Sequence, residues 1–293
     1  LFNTPQAPSS GLPSFPENVG DMQNVGYEAT FEAQIIRANN FNWSFNFNAT
    51  HYKNEITKLP EGRETIDFGA FELEVGRSQF EYFSREYAGV NPANGAALFY
   101  KDILDTNGEP TGERDITEDW TDADEYFIGK DALPDLYGGF ATSIQFKNFS
   151  LGLNFAYQFG GYGVDNTYIG LLSGEAGENL HKDVFKTWTL DNQTATLPLV
   201  VPNNDLNYYS TSNIRLIESD FLSLQDINIS YNFDSKVSEK LGLTSARLYL
   251  NASNVHLWSK RQGYDPRLSL TGLNNDTNFS LVRNITLGLN IKF

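Results

Sequence analysis

The stretch Asn284-Ile285-Thr286-Leu287-Gly288-Leu289-Asn290-Ile291-Lys292-Phe293 is apolar at every odd position and polar or small at every even one. A period of two is the signature of a β-strand whose two faces meet different media. One face carries Ile285, Leu287, Leu289, Ile291 and Phe293, and the other carries Asn, Thr, Gly and Lys.

The same pattern recurs upstream. Gly26 to Arg37 places Tyr27, Ala29, Phe31, Ala33 and Ile35 on one face. After a polar turn at Ala38-Asn39-Asn40, the residues Phe41, Trp43, Phe45, Phe47 and Ala49 alternate with Asn42, Ser44, Asn46, Asn48 and Thr50. Gly139 to Phe146 and Phe149 to Phe159 form a second such pair around Lys147-Asn148. A third set runs through Ile227, Ile229, Tyr231 and Phe233, turns over 234–244, returns through Ala246, Leu248, Leu250 and Ala252, and closes with a strand over Phe279 to Phe293. The apolar face changes phase between Leu222/Leu224 and Ile227, which predicts a bulge near Gln225-Asp226. Ser78 to Tyr87 and Ala96 to Asp102 are candidates for two further strands.

Short links fall at 38–41, 147–148 and 234–244; long ones fall at 57–137, 160–208 and 258–277. Short turns at one end and long loops at the other are the asymmetry of outer-membrane barrels. Aromatics cluster beside the short turns, at Phe41, Trp43, Phe146, Phe149, Tyr231, Phe233 and Phe293, where a membrane–water girdle belongs. Arg283 falls on the apolar face, ten positions before Phe293. At about 3.4 Å per residue and a tilt near 45°, it lies roughly 24 Å up, at the far edge of a band about 25 Å tall, where a charge is cheap.

Composition agrees. The 293 residues hold 22 Phe and 15 Tyr, no Cys, and a formal charge of −16. The mean hydropathy is only −0.40, as befits strands with one apolar face. The acidic balance argues against a nucleic-acid partner. The lack of cysteine excludes disulfides and thiolate metal sites. No run of about 18 apolar residues marks a membrane helix. Leu1-Phe2-Asn3 reads as the interior of a longer protein.

Asn18-Val19-Gly20-Asp21-Met22-Gln23-Asn24-Val25-Gly26-Tyr27-Glu28 resembles the NxGxxxNxGxE segment that leads into a barrel strand of SusC/RagA-type TonB-dependent transporters of Bacteroidota. Further matches follow in order: Leu136-Tyr137-Gly138-Gly139-Phe140 with Phe146-Lys147-Asn148-Phe149-Ser150-Leu151; Phe159-Gly160-Gly161; Trp188-Thr189-Leu190-Asp191-Asn192; Arg215 to Leu224; and Asn251 to Trp258 with Gly263-Tyr264-Asp265-Pro266. Departures stand at Arg267, where the family more often has Glu, and at Asp105-Thr106-Asn107-Gly108-Glu109, a degraded D-x-N-G-D-G. The terminal Phe293 resembles the barrel-assembly signal of such proteins.

The resemblance implies an all-β fold: an antiparallel transmembrane β-barrel segment with long extracellular loops and short periplasmic turns. Residues 1–293 would be the C-terminal part of the barrel, with the plug and earlier strands outside this sequence and Leu1 near the end of an earlier strand. It implies a bacterial outer-membrane location and import of oligosaccharides or peptides energised by TonB. The implied partners are the remaining barrel and plug, a SusD-like surface lipoprotein, TonB and lipid. Open sheet edges are not viable in lipid, so the segment would pair with the rest of its barrel. Two other readings remain at this level, a soluble or surface-anchored carbohydrate-binding β-sandwich and a non-transporting barrel such as an adhesin.

Chemistry is sparse. His51, His181 and His256 lie apart, without ligand spacing. Asp105 to Glu109 hints at a calcium loop, but the EF-hand register needs an acid where Ile103 stands. Glu113, Asp115, Glu118, Asp119, Asp122, Asp124 and Glu125 form an acidic stretch suited to a cation, to a partner, or to plain solvation. Sequons at Asn42, Asn48, Asn251, Asn278 and Asn284 arise from the period-two polar face. No phosphate loop, nucleophile elbow or HExxH occurs, so neither an enzyme nor a cofactor is expected, and no substrate-binding residue can be named.

Overall fold

The computed structural model describes residues 2–5, 9, 11, 14–17, 20–173, 177–200, 212–269, 271–274 and 279–293. Leu1, Asn18, Val19 and Asn278 lie outside them. The alternating stretches become seven antiparallel strands of one sheet: β1 (Asp21–Ala38), β2 (Phe41–Lys58), β3 (Leu136–Phe146), β4 (Phe149–Phe159), β5 (Phe221–Asn232), β6 (Ser245–Ser259) and β7 (Asn284–Lys292). Each strand pairs with its neighbours in sequence, which makes an up-and-down meander. The links β1–β2, β3–β4 and β5–β6 are short; the last holds a short helix, Ser235–Lys240. The links β2–β3, β4–β5 and β6–β7 are long, so the loops sort to opposite ends of the sheet as the spacing predicts.

Register converts the alternation of single strands into continuous bands. Ile36, Trp43, Ile144, Leu151, Ile229, Leu250 and Leu287 stand side by side across all seven strands. One residue along, on the other face, stand Gln34, Ser44, Ser143, Gly152, Asn228, Asn251 and Thr286. Phe41, Phe146, Phe149 and Tyr231 align beside the short turns, which is the aromatic row the sequence places there. Among the described residues nothing covers the apolar face of β7: Ile285, Leu287 and Leu289 are 61–69% exposed. A sandwich buries such a face against a second sheet; this sheet leaves it open, which excludes the sandwich reading.

The predicted bulge is present. Against β4 the ladder passes from Asn154–Asp226 to Phe155–Leu224, so Gln225 is the extra residue there; against β6 the shift sets Asn254 and Val255 opposite Gln225, so β6 carries an extra residue of its own. Gln225 restores Leu222 and Leu224 to the face of Ile227 and Ile229. A second bulge, between Gln34 and Ile36, was not foreseen. Gln34 Nε2 donates to the carbonyls of Ile36 (2.8 Å) and Trp43 (3.0 Å) there, satisfying backbone that the ladder leaves free. Gly138 has a packing reason: a Cβ there would stand 2.1 Å from the Asn48 carbonyl oxygen. Tyr157 fills the space instead, its hydroxyl donating to that carbonyl (2.9 Å) and its ring stacked on Phe47. Aromatic cover of a glycine on a neighbouring strand pins the register.

The last strand is shorter than expected. It begins at Asn284, not Phe279, because its partner ladder ends at Ser253. The next β6 residue, Asn254, has a left-handed φ of 52° and donates from Nδ2 to the Leu281 carbonyl (2.5 Å), turning 279–283 off the sheet edge. Arg283 therefore sits just before the strand, still at the long-loop end.

The two additional strand candidates exist but do not join the large sheet. Ser78 to Tyr87 resolves into Glu81–Arg85 and the start of Tyr87–Val90, and Ala96 to Asp102 into Ala97–Leu104. They belong to small sheets within the β2–β3 connection. The aqueous core lies in these connections: Phe71, Tyr82, Ala132 and Val164 form one cluster, Ala97, Phe99 and Ala123 another, and Ile169 with Leu172 a third. Among the described residues no helix is long and apolar enough to cross a membrane.

Candidate functional site

At the long-loop end the polar face of the sheet changes character. Its Asn/Ser rows give way to Thr50, Tyr137, Gln158, Phe221 and Ser259, adjacent in register across β2 to β6. Tyr52 stands next along β2 and meets Tyr137 edge to face at 6.2 Å between ring centres. The segment after β6, Gly263 to Ser269, folds back over this row, and Thr271 joins it at the cleft. A cleft of about 630 Å³ opens between strand wall and roof, with Phe80, Leu133 and Pro134 closing one side. A second, smaller space of about 370 Å³ lies on the other side of the roof, by Asn254, His256 and Arg283.

Arg267 holds the roof down. Asp265 caps the short 3₁₀ turn Pro266–Leu268, accepting from the Arg267 amide. The Arg267 guanidinium then pairs with the same carboxylate through Nε (2.8 Å) and Nη2 (2.6 Å). Its Nη1 donates to Ser223 Oγ on β5 (2.8 Å) and Asn254 Oδ1 on β6 (3.0 Å). Both charges are nearly buried. The planar fork makes this pattern available to arginine and not to lysine. Arg267, noted in the sequence only as a departure from a family pattern, is the anchor of the roof.

Tyr264 lies behind it, buried, and burial pushes its phenol pKa upward. Its hydroxyl packs where any Cβ on Gly163 would stand. Arg261 bonds Asp165 (2.6 Å) and lies 3.4 Å over the ring of Tyr168, whose hydroxyl donates to Asp183; burial and that bond push the Tyr168 phenol up to about 12. Asp131, at the end of strand Glu125–Asp131, is held above the usual carboxylate range by burial.

The residues singled out by their chemistry do not converge. His51 Nδ1 contacts the Asp135 carbonyl (2.5 Å), His181 accepts from the Asp183 amide (3.1 Å), and His256 packs on Trp258. In the acidic stretch, Asp122 pairs with Lys101 (2.7 Å) and Glu125 with Arg85 (2.7 Å). Asp124 accepts from the Asp102 amide, Asp119 caps a 3₁₀ turn, and Glu118 accepts from Asn91 and Asn94. Among the described residues no group of His, Asp and Glu is placed to hold a metal ion. Trp188 is buried, its indole donating to the Pro92 carbonyl (3.1 Å). Phe293 is 85% exposed on the apolar face.

The Asp105 to Glu109 segment is the tip of the hairpin Ala97–Leu104/Pro110–Thr117. Asp105 Oδ1 accepts from the amides of Asn107 (2.7 Å) and Glu109 (3.0 Å), so its carboxylate serves the turn. Those backbone bonds, the Glu109 amide first, hold its pKa below the ordinary value. A depressed carboxylate stabilises the turn above its unfolded pKa and loses that contribution as pH falls through the folded value. Amide-exchange protection at Asn107 and Glu109 should fall on acidification below the ordinary carboxylate range. Protection that persists once the carboxylate is protonated would contradict this account of the turn.

In the sequence Tyr137, Phe221 and Tyr264 appear only within separate motifs, and the signal that joins two of them is that Tyr137 and Phe221 are aromatic at positions of the polar face.

No family model matches the chain. It is 30% identical to TonB-dependent receptor P3 of Formosa agariphila, over all of this chain and 31% of that protein. It is 23% identical to the TonB-dependent receptor SusC of Bacteroides thetaiotaomicron, over 94% of this chain and 27% of that one. The chain spans about a third of the length of the curated relatives it matches. Among solved structures, the RagAB peptide transporter superposes with a TM-score of 0.81 at 24% identity, covering 99% of this chain and 32% of that one. That likeness is one of fold.

Proposed function

We propose that this chain, similar over its whole length to a TonB-dependent receptor and alike in fold to the RagAB transporter, is a β-barrel segment of a SusC/RagA-type receptor of the bacterial outer membrane and forms the C-terminal wall of an active importer of oligosaccharides or peptides. The relatives are receptors and transporters, not enzymes. In this reading the whole protein adds a plug, the earlier strands and a TonB-contacting segment to this wall. A SusD-like lipoprotein covers the outer mouth, and Phe293 serves as the assembly signal.

The observation that carries the reading is the two-faced sheet. Seven registered strands present unbroken apolar rows on one side and Asn/Ser rows on the other. The apolar side suits lipid, and the polar side suits a water-filled lumen. With every long connection at one end, the aromatic-walled cleft stands at the outer mouth, where cargo arrives.

Two measurements test this. The full-length receptor should stay with outer membranes through alkaline carbonate and leave them only in detergent. Solute uptake by cells carrying it should stop when TonB is deleted. Release by carbonate alone would overturn the barrel placement. Uptake indifferent to TonB would leave a passive pore in place of an active importer, and no uptake of any solute tested would leave a non-transporting barrel such as an adhesin.

A further inference from the structure

We propose that the rim of the wall around Arg283 is a binding site for the phosphoryl headgroup of an outer-leaflet glycolipid. The inference goes beyond the importer reading and rests only on its placement of the apolar face in lipid.

Three observations converge on this rim. The first is position. Arg283 directly precedes Asn284, the first ladder residue of β7, and shares the alternation of Ile285 and Leu287. On the neighbouring strand, His256 and Trp258 stand opposite Leu224 and Leu222, which puts both on the apolar rows. All three belong to the long-loop end, at the far edge of the apolar band from Phe293. A cation and an indole at that level meet the headgroups of the outer leaflet and not its hydrocarbon.

The second is a free charge. Arg283 is exposed, and the one acid lining the cavity beside it, Asp265, is already paired with Arg267. Among the described residues no carboxylate pairs with Arg283. Its planar fork of donors matches two oxygens of a phosphate, and a guanidinium sheds water more readily than an ammonium.

The third is room. A cavity of about 370 Å³ lies between Arg283, His256 and the far side of the Arg267 strap, Gly263 to Ser269. It exists because 279–283 leave the sheet at Asn254, so that the β6 ladder to β7 ends at Ser253. Gln262 and Ser280 add neutral donors, as does the His256 imidazole, held against Trp258 at 4.3 Å between ring centres. The volume falls in the small-molecule range. It suits a phosphoryl sugar whose acyl chains run down the apolar rows of β5 to β7. The chain's formal charge of −16 repels a dissolved anion, whereas a lipid is held at the rim by its chains.

The test is native mass spectrometry of the full-length receptor in mild detergent. The probes are monophosphoryl lipid A, the same lipid with its phosphate removed, and inorganic phosphate. One monophosphoryl lipid should bind per receptor, and the dephosphorylated lipid should bind about tenfold more weakly, for want of the charge-assisted bonds. Inorganic phosphate, without acyl chains, should bind about a hundredfold more weakly or less. Arg283 is exposed, so its variants keep the fold. Arg283→Ala should weaken the monophosphoryl lipid about tenfold and erase its advantage over the dephosphorylated one. Arg283→Lys, which keeps the charge but not the fork, should recover part of the loss. His256→Ala should cost about threefold. Arg247→Ala removes a cation from the polar face, where it bonds Ser230, and should change nothing. Equal affinity for the two lipids, inorganic phosphate binding as tightly as the lipid, or lipid affinity unchanged in Arg283→Ala overturns the site. Any of these in a receptor that still resists carbonate would show the barrel placement standing while the headgroup assignment falls.

Discussion

Leu153→Arg should cost the assembled barrel about 2–4 kcal/mol, the penalty of a cation facing lipid near the midplane. Asn154→Arg, the next residue along the same strand, should shift stability by less than about 0.5 kcal/mol. Leu153 stands between Thr142 on β3 and Ile227 on β5, in the middle rows of the apolar face. Asn154 points the other way, its amide donating to Asp226 (3.4 Å), so an added guanidinium there meets water and a carboxylate. The check is equilibrium unfolding of the full-length protein from lipid vesicles, followed by electrophoretic heat-modifiability. Equal effects at the two positions would mean that the apolar face does not meet lipid.

Arg267→Ala should release the strap and cost about 3–5 kcal/mol, because it leaves the buried Asp265 carboxylate without its counter-charge. Arg267→Lys should recover only part of this, since an ammonium cannot hold Asp265, Ser223 and Asn254 together. The double variant Arg267→Ala/Asp265→Ala should be less destabilised than Arg267→Ala alone. That non-additivity is the mark of a pair whose surviving partner is the main cost. Amide exchange across 263–269 gives the local readout, with thermal unfolding as the global one. A double variant as unstable as the sum of its parts would show that the pair is not a unit.

Phase and position were legible in the chain wherever one residue's chemistry determines which face it takes. The alternation through Phe41 to Ala49 and Ile285 to Ile291 gave the strands and their two faces. The slip between Leu224 and Ile227 placed the bulge at Gln225, because an extra residue is the simplest way for one strand to keep its apolar side chains in one row. The uneven link lengths gave the sorting of turns and loops.

Other features depend on neighbours distant in sequence. Residues 279–283 carry a passable strand pattern, yet they leave the sheet because Asn254 of β6 turns away and removes their ladder. The bulge at Ile35 is hidden because both Ile35 and Ile36 are apolar, so no break in pattern marks it.

The cleft is the clearest case. Tyr52, Tyr137, Gln158, Phe221 and Arg267 come from four strands and a loop, spread over more than two hundred residues. Face and periodicity are local properties, written into a single strand by which side meets oil and which meets water. A cavity is a property of register and of chain return, and it arose only once β2 to β6 were set side by side and Arg267 tied the strap across them.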